Sequence, residues 1–262
     1  MSTLIEVTQV DGVAELRFNR PEVLNALNVA MAEAFAEETE RLLRDESLRV
    51  LLITGAGRAF MAGGDLKSFW ATASQERGTL SREIITPVNR ALLSLYHSPI
   101  ISIAAAQGAV AGAGMSILMG TDLAIAATDA TFNFAYGKVA ASPDCGGSFW
   151  LTRLVGWRRA MQIALLSETL SASQALDWGL VTQLTEAADL LAAARSVALR
   201  LSQGPQGSYA AMKRLFRSAA VNSFEEQLNM ERESFAALSE QADFGRALEG
   251  FFAGKTRAGL AR

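Results

Sequence analysis

Four apolar residues in a row, Val50-Leu51-Leu52-Ile53, run straight into Thr54-Gly55-Ala56-Gly57. No polar residue alternates within the run, so both faces of the strand it forms must be covered. That requirement points to a sheet with helices packed over it. The pattern returns at Ile100-Ile101-Ser102-Ile103-Ala104-Ala105, entered through Ser98-Pro99 and followed by the small-residue turn Gly108 to Gly114 and a helix through Leu118. It returns again at Leu123-Ala124-Ile125-Ala126. Strand, turn and helix thus recur three times, which implies an α/β fold built either as a spiral of ββα units or as a parallel sheet.

The flanks are read by simpler signals. Ile5 to Thr8 and Val13 to Phe18 alternate around Asp11-Gly12, a strong hairpin turn pair. Asn28 is placed to cap a helix through Met31, Phe35 and Leu42. After about residue 185 strand signals vanish, and Leu190–Leu201, Tyr209–Ala219, Phe224–Ala236 and Phe244–Phe252 carry apolar residues at helical spacing. The reading is an α/β core over residues 1–200 and a helical region over 201–262.

With 262 residues the chain can bury one full core. Its net charge of −3 and the absence of a Lys-rich helix argue against a nucleic-acid platform or a polybasic membrane surface. No apolar stretch reaches the roughly 20 residues of a membrane span. One cysteine, Cys145, permits no intrachain disulfide, and the start Met-Ser-Thr-Leu-Ile-Glu shows no secretory pattern. A cytoplasmic protein is expected.

Four segments carry chemistry: Asn19-Arg20-Pro21-Glu22-Val23-Leu24-Asn25-Ala26-Leu27, Ala59-Phe60-Met61-Ala62-Gly63-Gly64-Asp65-Leu66, Gly108 to Gly114, and Ser142-Pro143-Asp144-Cys145-Gly146-Gly147. A buried strand that ends in a small-residue turn leaves backbone N–H groups open to a ligand. Taken alone, the two Gly-rich turns are better read as tight turns beneath packed helices. In order and spacing, however, the four segments resemble the enoyl-CoA hydratase/isomerase (crotonase) family, and Leu170 to Val181 resembles that family's helix-to-strand junction. The resemblance spans almost the whole chain. It implies the crotonase spiral of ββα units with a helical C-terminal trimerisation region, hence a homotrimer or a dimer of trimers. It implies an acyl-CoA substrate whose coenzyme A arrives as part of that substrate, with no metal or separate cofactor. It also implies an oxyanion hole formed by the N–H groups of Gly64 and Ala113. Contacts to the substrate would come from Leu24, Ala26, Ala62 and Tyr136, and from Lys255 (and Arg257) near the C-terminus.

Hydration of an enoyl thioester calls for two carboxylates. Read along the family pattern, the two glutamate places hold Ser116 and Tyr136, neither of them a base near neutral pH. Asp144, eight residues beyond Tyr136, stands where family isomerases carry their acidic residue, and its surroundings look most like the isomerases that act on ring epoxides in phenylacetate degradation. One carboxylate suffices for a 1,3-proton shift. From the residues alone Asp144 is equally placed to cap the helix expected from Gly147 to Val155. The expectation is an isomerase with Asp144 as single acid/base. The alternatives are a hydratase or another lyase or hydrolase of the family, a CoA-dependent dehalogenase, and a non-catalytic RNA-binding relative. A dehalogenase would need a histidine near Ile85-Thr86-Pro87-Val88, which has none. His97, the sole histidine, is read as a surface residue at a helix C-terminus. Cys145 is read as a packing residue, and Asp65 as a turn cap rather than a metal ligand.

Overall fold

The computed structural model describes residues 3–259, with side chains as far as 253. The chain divides into two compact units, Met1–Ser202 and Gln203–Arg262. In the first unit β1 (Ile5–Val10) and β2 (Val13–Phe18) form the expected hairpin. Its turn places both Asp11 and Gly12 at positive φ, the conformation that twists with the strands. β3 (Val50–Gly55), β4 (Ile101–Ala106), β6 (Leu123–Ala127) and β9 (Gln183–Thr185) then add in parallel, giving the order β1-β2-β3-β4-β6-β9. β3 and β4 are buried at every position, as their unbroken apolar runs require.

A second, shorter layer follows each strand of the first. β5 (Ala109–Ala111) pairs in parallel with β7 (Thr131–Asn133), which pairs antiparallel with β8 (Leu170–Ser171). The layer continues beyond named strands through single bridges, Met61 to Val110 and Leu27 to Gly64. The chain therefore repeats one gesture: a long strand, a short stretch in the second layer, then a helix. The helices are α1 (Val29–Leu43), α2 (Leu66–Ala71) with α3 (Arg77–His97), α4 (Ala113–Met119) and α5 (Gly147–Leu166). This is the spiral of ββα units, with four turns where three were legible. α6 (Ala172–Asp177) and α7 (Leu190–Ser202) complete the unit. The second unit consists of α8 (Gln206–Ser218), α9 (Phe224–Ser239) and α10 (Ala242–Gly259).

Local chemistry sets several boundaries. The Asn28 side chain accepts from Met31 N–H and starts α1. Ser171 and Ser223 open α6 and α9 with full capping boxes. The expected helix from Gly147 does lose helical geometry just after Val155, where Gly156 adopts φ 75° and ψ 162°, but a further helical stretch carries on to Leu166. No described helix is long and apolar enough to cross a membrane.

Between the layers the chain turns within two residues at Gln107-Gly108. Gly108 has φ +56°, and a Cβ there would lie 2.0 Å from the carbonyl oxygen of Arg58. Gly108→Ala is expected to cost about 3 kcal/mol or more through strain and backbone displacement. Urea unfolding should show this as a lower midpoint at unchanged slope.

Candidate active site

Three backbone segments lie side by side where the second layer begins. Leu27 N–H donates to Gly63 C=O (2.8 Å) and Asp65 N–H donates to Leu27 C=O (2.8 Å). In this parallel arrangement Gly64, directly opposite Leu27, turns its own N–H away from that partner. Met61 takes the N–H of Ala111 (2.8 Å) and gives its own to Ala109 (3.2 Å), which joins the third segment. Gly63 and Gly112 meet where the segments cross: a Cβ on either would come within 3.6 Å of the other's Cα. Both residues have positive φ (98° and 50°), and a Cβ on Gly63 would also lie 3.1 Å from the Ala111 carbonyl oxygen, so glycine suits both places.

Gly64 and Ala113 each follow one of these touching glycines. Gly64 N–H has no acceptor among the described residues. Ala113 is the first residue of α4, whose hydrogen bonding begins at Ser116 N–H to Gly112 C=O (3.1 Å), so its N–H has no intrahelical partner either. Two backbone donors thus stand unused beside one glycine crossing.

Asp144 lies in the loop before α5. That helix is capped by Gly146 with no side-chain bond. The carboxylate of Asp144 is therefore not spent on the helix: it accepts a 2.5 Å hydrogen bond from the Tyr136 hydroxyl. The same hydroxyl lies 3.0 Å from Ser116 Oγ, and Ser116 Oγ lies 3.4 Å from Gly112 C=O. Ser116 is wholly buried, Tyr136 is buried, and Asp144 is half-buried. The residues at the two glutamate places thus form one hydroxyl pair with Asp144. Burial, and then the charge of Asp144, push the Tyr136 phenol well above its ordinary range, so it stays a donor. Burial, and then the charge of Asp144, raise the neighbouring Cys145 thiol in the same way.

A family model described as enoyl-CoA hydratase/isomerase matches residues 8–257. The chain belongs to that family. As an enoyl-CoA hydratase/isomerase family enzyme it is 36% identical to the 1,2-epoxyphenylacetyl-CoA isomerase of Escherichia coli (strain K12), over 92% of each chain. It is likewise 36% identical to a Rhodobacter capsulatus protein named "Probable enoyl-CoA hydratase", over 92% of this chain and 91% of that one. Among solved structures it resembles an enoyl-CoA hydratase from Polaromonas sp. JS666, with a TM-score of 0.90, 30% identity, and coverage of 95% and 97%.

In this family enzyme the segment carrying Leu24 and Ala26 is fixed from within. Leu24 adopts φ 53° and its C=O receives the N–H of Ala62 (3.0 Å), while Ala26 C=O receives Arg20 Nη1 (2.6 Å). The C=O of Ala62 has no donor among the described residues. The side chain of Lys255, like that of Arg257, lies outside the described residues. Asp65 accepts from Lys67 N–H as the cap of α2 and pairs with Arg20 at 3.2 Å. His97 is exposed at the last turn of α3. Among the described residues no three His, Cys, Asp or Glu side chains are grouped to hold a metal.

Sequence reasoning passed over the tie between Ser116, Tyr136 and Asp144. They sit 20 and 8 residues apart, and no periodicity relates them. It also left Asn25 without a role. Its fully buried side chain donates to Ala56, Ala59 and Phe60 carbonyls (2.9, 2.9 and 3.1 Å) and accepts Arg20 N–H. A polar residue inside the motif, at a position needing positive φ, was the available signal.

With its thiol raised and buried, Cys145 is expected to resist iodoacetamide at pH 8.5 in the folded protein. After unfolding, mass spectrometry should show one alkylated thiol per chain. Full labelling of the native state would contradict this placement.

Proposed function

We propose that this enzyme isomerises an acyl-CoA thioester, shifting a double bond or rearranging the acyl group, with Asp144 as its single acid/base. The observation that carries the reading is the Ser116–Tyr136–Asp144 cluster. Where hydration calls for two carboxylates, this cluster holds one carboxylate and two hydroxyls. Asp144 takes a proton from the acyl chain, charge moves onto the thioester oxygen, and the N–H groups of Gly64 and Ala113 receive it. The same carboxyl then returns the proton two carbons away. Nothing is added to the substrate, so its mass does not change. Each backbone donor in such a pair is worth roughly 3–4 kcal/mol. Their freedom from other acceptors supports this role.

Coenzyme A is read as part of the substrate, with no separate cofactor and no metal. Leu24, Ala26 and Ala62 would meet it largely through backbone, the unpaired Ala62 C=O among the contacts, with Lys255 near its phosphates and Tyr136 beside the acyl end. Assembly as a homotrimer or a dimer of trimers is carried over from the family. The identity to a 1,2-epoxyphenylacetyl-CoA isomerase favours a ring-derived acyl group.

Asp144→Asn is expected to lower turnover of the true substrate by 10²-fold or more while acyl-CoA binding is nearly kept. A panel of acyl-CoA thioesters followed by chromatography and mass spectrometry would find that substrate, and a variant retaining most of the rate would end the single-base reading. Hydration of crotonyl-CoA should run 10²–10⁴-fold below that of a two-glutamate hydratase. A product 18 mass units heavier, formed at a hydratase-like rate, would favour water addition instead.

A further inference from the structure

Ser116 and Tyr136 do more than fill the two glutamate places. We propose that their hydroxyls form a relay through which the protonation state of Asp144 sets how strongly Ala113 N–H donates. The inference rests on the isomerase reading and deepens it. Both are positioning residues, since each acts through another group.

The relay is continuous in the structure. Asp144 Oδ1 is 2.5 Å from Tyr136 Oη, Tyr136 Oη is 3.0 Å from Ser116 Oγ, and Ser116 Oγ is 3.4 Å from the carbonyl oxygen of Gly112. The last of these atoms decides the matter. Gly112 C=O and Ala113 N–H belong to one peptide group. A hydrogen bond donated to the carbonyl end draws electron density from the nitrogen end and makes the N–H a better donor, as in any polarised chain of amides.

Each hydroxyl has one proton to place. While Asp144 is ionised, the charge-assisted bond from Tyr136 is the strongest on offer, about twice a neutral one. Tyr136 then donates its hydrogen bond to Asp144, Ser116 donates its own to Tyr136, and Gly112 C=O keeps only the N–H of Ser116. The long Ser116 Oγ to Gly112 distance fits this state. When Asp144 has taken the substrate proton, the charge assistance is gone. Tyr136 can now donate to Ser116, and Ser116 to Gly112 C=O. Only two hydroxyl rotations are needed, and no bond to hydrogen is made or broken. The Ala113 donor therefore strengthens at the moment when charge has reached the thioester oxygen. Burial of Ser116 and Tyr136 excludes water that would otherwise satisfy the hydroxyls in either direction.

The test uses the full chain and phenylacetyl-CoA, whose α-protons exchange with D2O once removed by a base. Ser116→Ala is expected to slow exchange roughly tenfold at unchanged half-saturation. Tyr136→Phe should lose a similar factor, and the double variant should be no slower than the slower single one. With a ¹³C-labelled thioester carbonyl, Asp144→Asn (a standing substitute for the neutral carboxyl) should move the bound C=O stretch to lower wavenumber than in the wild type. Adding Ser116→Ala should cancel that shift. If Ser116→Ala unfolds the protein, Tyr136→Phe in the Asp144→Asn background carries the same reading. Wild-type exchange in Ser116→Ala, or a stretch in Asp144→Asn that ignores Ser116→Ala, overturns the relay while leaving Asp144 as base. Wild-type exchange in Asp144→Asn itself overturns the isomerase reading, and the relay with it.

Discussion

The amide of Asn25 ties together the segments on which the proposed chemistry rests. Its nitrogen serves three carbonyls of the turn that follows β3, and its oxygen serves the backbone of Arg20. Two hydrogens cannot fill three acceptors separately, so one is shared. An apolar side chain in its place would leave Ala56 and Phe60 C=O without this donor and Ala59 C=O with only a long bond from Gln107 (3.5 Å). Arg20 extends the same tie by reaching both Ala26 C=O and Asp65. With these segments fixed, Gly63 can rest against Gly112, and the two open N–H groups follow from where those glycines stand.

The acidic side of the site obeys the opposite logic. In the proposed mechanism Gly64 and Ala113 act through backbone, which no substitution at their own positions easily tunes. Asp144 would act through a side chain beside the phenol of Tyr136 and the thiol of Cys145, both held neutral by burial. Neutral donors around a lone carboxylate let it change protonation without a second charge nearby having to follow. Under the proposed mechanism, charge would then appear at the thioester oxygen and vanish again within one closed set of groups.

Much of this was legible in the sequence, and the legible parts share a cause. β3, β4 and β6 are long enough to show their burial as unbroken apolar runs, and Asn28, Asp11-Gly12 and Gly156 act through their own backbone geometry. β5, β7 and β8 are two or three residues long and exist because a neighbour is present, so no local pattern announces them. α3 was read only at its His97 end; Pro87 within its 21 residues disguises the rest, since proline usually ends a helix. At the site, the identity of Asp144 could be read, but its choice between capping α5 and meeting Tyr136 could not. That choice depends on where the single 3-10 turn Tyr136–Val139 carries the ring, a matter of tertiary packing.

Gly147 also shapes what this protein can become. A Cβ there would stand 2.4 Å from Ser116 Oγ and 3.0 Å from the Phe134 ring, so the small residue at 147 and the small residue at 116 were fitted to each other. Lengthening Ser116 to a carboxylate would drive it into the space held by Gly147, Phe134 and the Tyr136 hydroxyl. A second carboxylate at position 116 would therefore need several neighbours to change together, so the choice between one acid and two is made by packing before it is made by chemistry.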